Sequence, residues 1–301
     1  MTTTSGDRLH SVRAEVIAAA AAGDYRHLVV LAPEIAAAAR PGQFVALAVG
    51  GETSGLLLRR SFSIHRVEPD TGTVEIVVAD AGPGTRWITR LVAGEAVEVL
   101  GPLGVPFPVP DEPTPCVLLG GGYGSAPMFW LAKVLQDKGC HVDLVLGAAT
   151  QDRLFGADLA DRVPLTVTTD DGSAGITGRV TDPLSDLLRT SGATLAYACG
   201  PMPMLRAVTQ VCRPLGVTAY VAVEESMACG IGVCMTCVLP VVGADGVTRM
   251  SRSCVEGPTF DGARVRWEAI ADGRVAVPDD CLGSPASLAA LNHAAAQGSS
   301  R

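Results

Sequence analysis

The sequence predicts a multi-domain protein of the β plus α/β class, with an antiparallel barrel, a parallel-sheet domain and a small C-terminal domain that carries cysteines. Three observations predict this order: short apolar runs separated by turns, then alternating strand-like and helix-like runs, then four of the nine cysteines close together. A chain of 301 residues is also long for one hydrophobic core. We expect domains at 11–110, 114–223 and 224–281, and an Ala-rich tail at 282–301.

The barrel is predicted from apolar runs that alternate with breakers such as Pro41-Gly42 and Thr71-Gly72. Many short strands in one segment favour a small antiparallel barrel, here interrupted by one short helix at Thr85–Leu91. The predicted strands are Val12–Ala18, His27–Leu31, Phe44–Val49, Ser61–His65, Val74–Ala79 and Ala96–Leu100.

A proline-rich stretch at 105–115 separates the barrel from the second domain. Beyond it, strand-like and helix-like runs alternate, which is typical of a parallel sheet with crossover helices. The predicted strands are Cys116–Leu119, Val142–Leu146, Leu165–Thr168, Thr194–Ala198 and Thr218–Val223, the helices are Ala126–Asp137, Asp182–Thr190 and Pro203–Cys212, and a helical tail is predicted at Ser284–Gln297.

The cysteines near the C-terminus have metal-ligand spacing. Cys229, Cys234 and Cys237 follow C-x4-C-x2-C, and sixteen residues separate the third from Cys254. This is the plant-type [2Fe–2S] pattern, and the glycines between the thiols let backbone N–H groups turn toward the sulfurs. The alternatives are a zinc site and four structural cysteines. Structural zinc usually takes two C-x2-C pairs, and here only Cys234 and Cys237 form one.

Composition limits the classes of function. A net charge of −8 and a pI near 5.1 argue against nucleic acid as a partner. We expect no membrane span and a cytoplasmic location, because no signal peptide is evident and glycines interrupt the long uncharged runs. Cysteines in that setting favour metal chemistry over disulfides. Those without a partner at metal spacing are predicted to be packing residues: Cys116, Cys140, Cys212 and Cys281.

Arg60-Ser-Phe62-Ser63 is a candidate flavin-nucleotide motif. Arginine pairs with pyrophosphate, an aromatic ring packs on a flat ring, and a hydroxyl reaches a ring nitrogen. The alternative is an edge-strand arginine next to a core phenylalanine. The helix opened by Gly84 and Thr85 favours the flavin interpretation, because its free N–H groups could hold phosphate. His65, just past the motif, is predicted to be a surface histidine.

Two segments of the second domain are candidates for binding a nucleotide. The turn Gly120-Gly121-Gly122-Tyr-Gly124 precedes a helix that contains Pro127, and glycines there let the backbone approach phosphates. The G-x-G-x-x-G fingerprint is not met, because Ser125 stands at its third glycine, and a structural turn is the alternative. Cys199-Gly200-Pro201 follows a strand at the edge where α/β sheets bind ligands, although Cys199 alone is typical of a buried small hydrophobe. NAD and NADP are not distinguished, and Arg153 is the cation that could meet a 2′-phosphate.

Together these motifs resemble the ferredoxin-reductase superfamily and, within it, the electron-transfer subunits of type B (NAD-dependent) dihydroorotate dehydrogenase. The resemblance covers about residues 11–268 and is carried by Leu58–Ile64, Leu100–Gly104, Gly120–Pro127, Cys199–Pro201 and the cysteine set with Glu256-Gly-Pro258 after it. Two positions depart from the family pattern: Ser61 stands where proline is usual, and Phe62 stands where the superfamily commonly has tyrosine.

The resemblance implies an oxidoreductase subunit that passes electrons between NAD(H), FAD, a [2Fe–2S] cluster and a partner, the FMN-containing catalytic subunit of dihydroorotate dehydrogenase in pyrimidine biosynthesis. A ferredoxin or hydrogenase-type partner is the alternative, and a zinc-holding, non-catalytic protein is the third hypothesis. The resemblance implies catalytic roles for Ser63 and Cys199, cluster ligation by Cys229, Cys234, Cys237 and Cys254, and cofactor binding by Arg60, Phe62, Ser63, Ile64, Gly84, Thr85, Gly120, Gly121, Gly122, Gly124, Pro127, Gly200 and Pro201.

Overall fold

The computed structural model describes residues 9–51, 54–160, 163–271, 273–284 and 287. It contains a closed antiparallel barrel, a seven-stranded sheet with helices, and a cysteine-bearing segment, so the predicted fold class is confirmed. Most of the tail predicted at 282–301, and with it the helix predicted at Ser284–Gln297, lies outside the described residues. In the described part of the chain, no helix is long and apolar enough to cross a membrane.

Six antiparallel strands close the barrel in the order β1-β2-β5-β4-β3-β6. Side chains that alternate along the strands fill its interior, and Leu28, Val45 and Ile64 are fully buried there. Closure leaves no edge strand, so the edge position considered for Arg60 is wrong. The strands are β1 (His10–Ala22), β2 (Tyr25–Leu31), β3 (Phe44–Leu47), β4 (Arg60–Glu68), β5 (Thr73–Ala79) and β6 (Ala96–Leu103).

Two short helices accompany the barrel. Helix α1 (Pro33–Ala38) was not predicted, because six residues hold too little periodicity to distinguish it from a turn. Helix α2 (Pro83–Thr89) begins at Pro83, two positions before the predicted start at Thr85. Proline is favoured at the first helical position, because the backbone N–H there has no partner within the helix and proline has none to lose. This explains the earlier start.

The second unit is a sheet in the order β10-β9-β8-β7-β11-β12-β15, in which β15 alone is antiparallel to its neighbour. Helices α3 (Ala126–Asp137), α4 (Leu184–Ser191) and α5 (Met202–Cys212) connect its strands. The strands are β7 (Cys116–Gly121), β8 (Val142–Ala148), β9 (Leu165–Thr169), β10 (Ile176–Thr177), β11 (Leu195–Cys199), β12 (Thr218–Ala222) and β15 (Thr259–Asp261).

The cysteine-bearing segment packs on both other units. It contains the hairpin β13 (Val238–Val242) and β14 (Thr248–Arg252) and the short pair β16 (Ile270–Ala271) and β17 (Arg274–Val275). Between these hairpins, β15 completes the α/β sheet, and two of the thiols pack against the barrel. Residues 224–281, predicted as one domain, therefore contribute a strand to the preceding one.

One buried hydrogen bond joins the barrel to the second unit. The Nδ1 atom of His65, on β4, lies 2.6 Å from the carbonyl oxygen of Ala126, the first residue of α3. His65 is only 5% exposed, so its predicted surface position is wrong. The physical reason is tertiary, since Phe129 and Phe155 cover its ring from outside the barrel.

Candidate functional site

The four candidate ligand thiols form two pairs. The thiol of Cys234 contacts that of Cys229, and the thiol of Cys254 contacts that of Cys237. A single tetrahedral zinc would need all the sulfurs within about 3.8 Å of one another, from Zn–S bonds of about 2.3 Å. Among the residues that the structure describes, no three of these thiols lie within 4.8 Å of one another. Two pairs suit two irons, so this donor set fits a [2Fe–2S] cluster better than zinc.

Backbone N–H groups of the cysteine loop point at the sulfurs, as predicted. The N–H groups of Ile231 and Val233 each donate to Sγ of Cys229 at 3.4 Å, and that of Gly232 donates to Sγ of Cys254 at 3.1 Å. Gly232 has φ +82°, a conformation that favours glycine. Donors of this kind stabilise negative charge on thiolates and on the cluster they bind.

The loop has an exposed side and a buried side. Cys234 is exposed, and the hydroxyl of Thr236 donates to its sulfur at 3.1 Å. This hydrogen bond, followed by further hydrogen bonds from Thr236 and Cys229, lowers the pKa of the Cys234 thiol to about 6. Cys254 is buried, and burial raises the pKa of its thiol to about 12. The loop therefore presents one pair toward solvent and holds the other against the barrel.

The three residues predicted to hold a pyrophosphate lie together. A Cβ built on Gly84 would lie 2.6 Å from Nε of Arg60, so the guanidinium rests directly on the start of α2. The hydroxyl of Thr85 accepts from the N–H groups of Ala81 and Gly82 at 2.8 and 3.0 Å. Since that hydroxyl closes the turn, the backbone N–H groups of Gly84 and Thr85 are the donors available to a phosphate.

A cleft of about 330 Å³ lies where the three units meet. Phe62 and Ser63 of β4 form one wall, Gly124 a second, and the segment that leads to the cysteines a third. Ile64, a predicted cofactor-binding residue, points into the barrel core, so its backbone alone can contact a ligand. The alternation of faces along β4 explains this difference from Ser63, which is exposed.

The glycine turn and the Cys199–Pro201 segment touch through their backbones. Parallel pairing aligns Cys199 with Gly120. A Cβ on Gly124 would lie 2.7 Å from the carbonyl oxygen of Cys199, and one on Gly121 would lie 3.2 Å from Cδ of Pro201. Both segments therefore end at one edge of the sheet, as their positions in the sequence indicated.

Two further predicted residues of this region have other positions. Gly122 has φ +56°, and a Cβ there would have the Tyr25 hydroxyl within 3.6 Å, on the barrel side of the turn. Pro127 is buried in the first turn of α3, where proline is favoured. Pro127 therefore supports the helix start rather than lining the cleft.

Ser63 and Cys199, predicted as catalytic, are neighbours. The Ser63 side chain lies beside the Cys199 thiol, and burial raises the pKa of that thiol well above its ordinary value. Cys199 therefore remains a neutral thiol at neutral pH and has little nucleophilic character. The pair fits a packing and orienting role beside a bound ring.

Sequence reasoning missed an acid in this cleft. The Tyr123 hydroxyl donates to Oε2 of Glu224 at 3.3 Å. Burial raises the pKa of Glu224, and the hydrogen bond from Tyr123 opposes that rise. The available signal was the position of Glu224 two residues after the end of β12, at the carboxyl edge where α/β sheets bind ligands.

Comparisons with known proteins agree with this arrangement. Residues 118–210 match the oxidoreductase NAD-binding domain, and residues 224–266 match the iron–sulfur cluster binding domain of dihydroorotate dehydrogenase B. The structure of an NADH-dependent reduced ferredoxin-NADP oxidoreductase superposes with a TM-score of 0.75 at 31% identity, covering 85% of this chain and 91% of that one. Phthalate dioxygenase reductase, at 17% identity and a TM-score of 0.56, shares the fold.

Curated relatives agree over most of the chain. The electron transfer subunit of dihydroorotate dehydrogenase B (NAD⁺) from Geobacillus thermodenitrificans is 39% identical over 230 residues, which are 75% of this chain and 86% of the relative. The subunit of the same name from Listeria monocytogenes (strain EGD-e) is 36% identical over 240 residues, 79% of this chain and 91% of the relative. The predicted cofactor set of FAD, NAD(H) and [2Fe–2S] is supported, and the chain belongs to the family of dihydroorotate dehydrogenase B electron-transfer subunits.

Proposed function

We propose that this chain carries electrons between NAD(H) and the FMN-containing catalytic subunit of a dihydroorotate dehydrogenase. When bound, FAD supplies conversion between a two-electron hydride and single electrons, and the [2Fe–2S] cluster supplies a one-electron carrier. The residues of the chain bind these groups, orient them and exclude water, and none of them needs to form a covalent bond with substrate.

The barrel provides the flavin site. Arg60 and the N–H groups of Gly84 and Thr85 bind the pyrophosphate, because an arginine and free helix N–H groups converge there. Phe62 packs on the flat ring, and its lack of a hydroxyl limits it to packing. Ser63 faces the cleft and offers its hydroxyl to a ring nitrogen.

The α/β unit provides the nicotinamide site. Gly120, Gly121, Gly124 and Gly200 have no room for a Cβ, because neighbouring protein atoms fill those positions. The missing side chains bring the glycine turn and the Cys199–Pro201 segment together at the sheet edge where a dinucleotide binds. Glu224, with its raised pKa, holds a proton at its carboxyl group over a wider pH range than an exposed glutamate does.

The observation that carries the proposal is a short connection between the flavin cleft and the thiols. Phe44 and Met227 line the cleft, and both also pack in the apolar cluster that contains Cys237 and Cys254. A single layer of side chains therefore separates the cleft from the buried thiol pair.

Exposed apolar residues around the loop support a docked partner. Ile231, Val233 and Met235 are 44%, 75% and 50% exposed. Apolar side chains grouped on a surface are typical of an interaction site. These residues flank Cys234 in the loop, so the exposed cluster ligand lies on the same apolar surface.

Anaerobic analysis of the purified chain tests the cofactor assignment. We expect about one FAD, two irons and two sulfides per chain, with cluster absorption beneath the flavin bands. Zinc without flavin would contradict the proposal.

A ferredoxin is a second candidate partner, favoured by the 31% identity to the ferredoxin-NADP oxidoreductase structure. Reduction of a ferredoxin by NADH at a rate that exceeds transfer with the dihydroorotate dehydrogenase subunit would favour that alternative.

A further inference from the structure

A second cavity lies outside the flavin cleft, between the barrel and α3. Its volume is about 820 Å³, and Phe129, Trp130 and Lys133 of α3 line it opposite the barrel. Two histidines and a glutamate of the barrel, His27 on β2 and His65 and Glu75 on β4 and β5, lie on its wall. The electron path proposed above uses none of these three side chains.

Their ligand atoms are close enough to surround one ion. One nitrogen of each histidine and one oxygen of Glu75 all lie within 4.8 Å of one another. The Nε2 atom of His27 is 2.8 Å from Oε2 of Glu75, a hydrogen-bond distance that would open to about 3.3 Å between adjacent ligands of a tetrahedral ion with bonds of about 2.0–2.1 Å.

Outer hydrogen bonds orient the set in the way that metal sites require. The Nδ1–H of His65 donates to the carbonyl of Ala126 at 2.6 Å, which leaves Nε2 with a free lone pair. Arg66 donates to Oε1 of Glu75 at 2.9 and 3.1 Å and leaves Oε2 toward the histidines. A histidine held by a backbone carbonyl and a carboxylate held by a donor are the usual surroundings of metal ligands.

We propose that His27, His65 and Glu75 bind one divalent transition-metal ion, with zinc the preferred ion and an open coordination position facing the cavity. Two imidazoles and one carboxylate form a donor set that zinc accepts, and the fourth position would hold water. Coordination moves the proton of His27 from Nε2 to Nδ1 and displaces its hydrogen bond to Glu75, so the neutral imidazole supplies the lone pair and no proton needs to leave.

The opposing interpretation is a salt network without metal. Arg66 and Glu75 already form an ion pair between β4 and β5, and His27 on β2 hydrogen-bonds the same carboxylate. That network leaves out His65, which offers a ring nitrogen within 4.8 Å of the ligand atoms of His27 and Glu75. The metal site accounts for the third ligand and for the open volume beside it.

A metal here would act on the junction of two units. His65 joins β4, which carries Arg60 and Ser63, to the residue that opens α3 after the glycine turn. An ion bound to Nε2 would therefore strengthen the contact that sets the flavin strand relative to the nucleotide turn.

Equilibrium dialysis of the holoprotein against zinc chloride tests the proposal. The holoprotein is used because iron already occupies the cysteines, and iron is assayed before and after dialysis. We expect one zinc per chain, with an affinity about tenfold or more weaker in His27→Ala and Glu75→Gln. His141→Ala is the matched control, since His141 lies 3.4 Å from the Asp143 carboxylate and, among the residues that the structure describes, belongs to no group of three ligands.

Zinc absorption-edge spectroscopy identifies the ligands. Nitrogen and oxygen neighbours at about 2.0–2.1 Å support the site, whereas sulfur at about 2.3 Å would place zinc on the cysteines and contradict it. Stoichiometric zinc binding that is equal in the wild type, His27→Ala and Glu75→Gln would overturn the proposal, as would the absence of any retained zinc. Both variants should keep FAD, iron and NADH oxidation, because neither residue contacts the flavin cleft.

Discussion

Gly124 offers the sharpest test of the nucleotide site. A Cβ at this position would lie 2.7 Å from both the carbonyl oxygen of Cys199 and Cα of Gly200, and 2.8 Å from the N atom of Gly200. All three are backbone atoms, so no flexible side chain can move aside. Ordinary contact begins at 3.4 Å, and 3.4 minus 2.7 requires the two segments to separate by 0.7 Å. Gly124→Ala should therefore displace the turn from its partner segment.

The expected size follows from the cost of overpacking. A forced shift of this kind costs about 1–3 kcal/mol, which corresponds to about 5- to 150-fold weaker nucleotide binding. We expect the KM for NADH to rise by that factor when ferricyanide accepts the electrons. Iron content should stay at the wild-type value, because the thiols belong to another element. Gly124 also lines the flavin cleft, so FAD content is assayed and the KM is compared in flavin-loaded protein.

Gly55→Ala is the matched control. A Cβ at Gly55 would have no heavy atom within 4 Å, and the residue does not adopt positive φ. Its KM for NADH should equal that of the wild type. A Gly124→Ala protein with full cofactor content and an unchanged KM would refute the close approach of the dinucleotide to this turn.

Three further substitutions test the remaining roles. Arg60→Ala should weaken FAD binding by about 10- to 150-fold, because it removes a charge-assisted hydrogen bond of about 1.5–3 kcal/mol. Arg59→Ala is the control and should leave FAD affinity unchanged, because the Arg59 side chain donates to the carbonyl oxygens of Ala46 and Glu98. Equal FAD affinity in the two variants would contradict the pyrophosphate site. Cys234→Ala should abolish transfer to the partner yet keep NADH oxidation with ferricyanide, and Cys212→Ala, a buried thiol outside the cluster set, should keep both. The raised pKa of Glu224 means that the folded state binds its proton more tightly than the unfolded state, so its contribution to stability is present at low pH and is lost as pH rises through the folded pKa. Relative to wild type, the free energy of unfolding of Glu224→Gln should therefore rise by about 1.4 kcal/mol per pH unit between 4.5 and the folded pKa. Urea unfolding at several pH values measures this difference. A difference that stays constant with pH would exclude the contribution of Glu224.

Features encoded by nearby residues could be predicted from the sequence. The C-x4-C-x2-C spacing brings the thiols together within one loop, and the glycine turn lies between a buried strand and a helix. Barrel strands such as β6 alternate between faces, which identifies them without knowledge of their partners. The roles of the individual flavin and nucleotide residues stay predictions.

Features set by distant contacts could not be predicted. The hydrogen bond between Tyr123 and Glu224 joins residues 101 positions apart. Strand β15 has three residues and becomes a strand because it pairs with β12. The burial of His65 arises where α3 packs on the barrel, and no local pattern contains that information.

The central claim is that the chain connects a dihydroorotate-oxidising subunit to NAD⁺. The most direct measurement mixes the catalytic subunit, dihydroorotate and NAD⁺ anaerobically, with and without this chain, and follows NADH by the absorbance of the reduced nicotinamide. The account predicts NADH formation that depends on the chain and is lost with Cys234→Ala. Reduction of the partner's flavin by dihydroorotate without any NADH in the presence of the cofactor-loaded chain would contradict it.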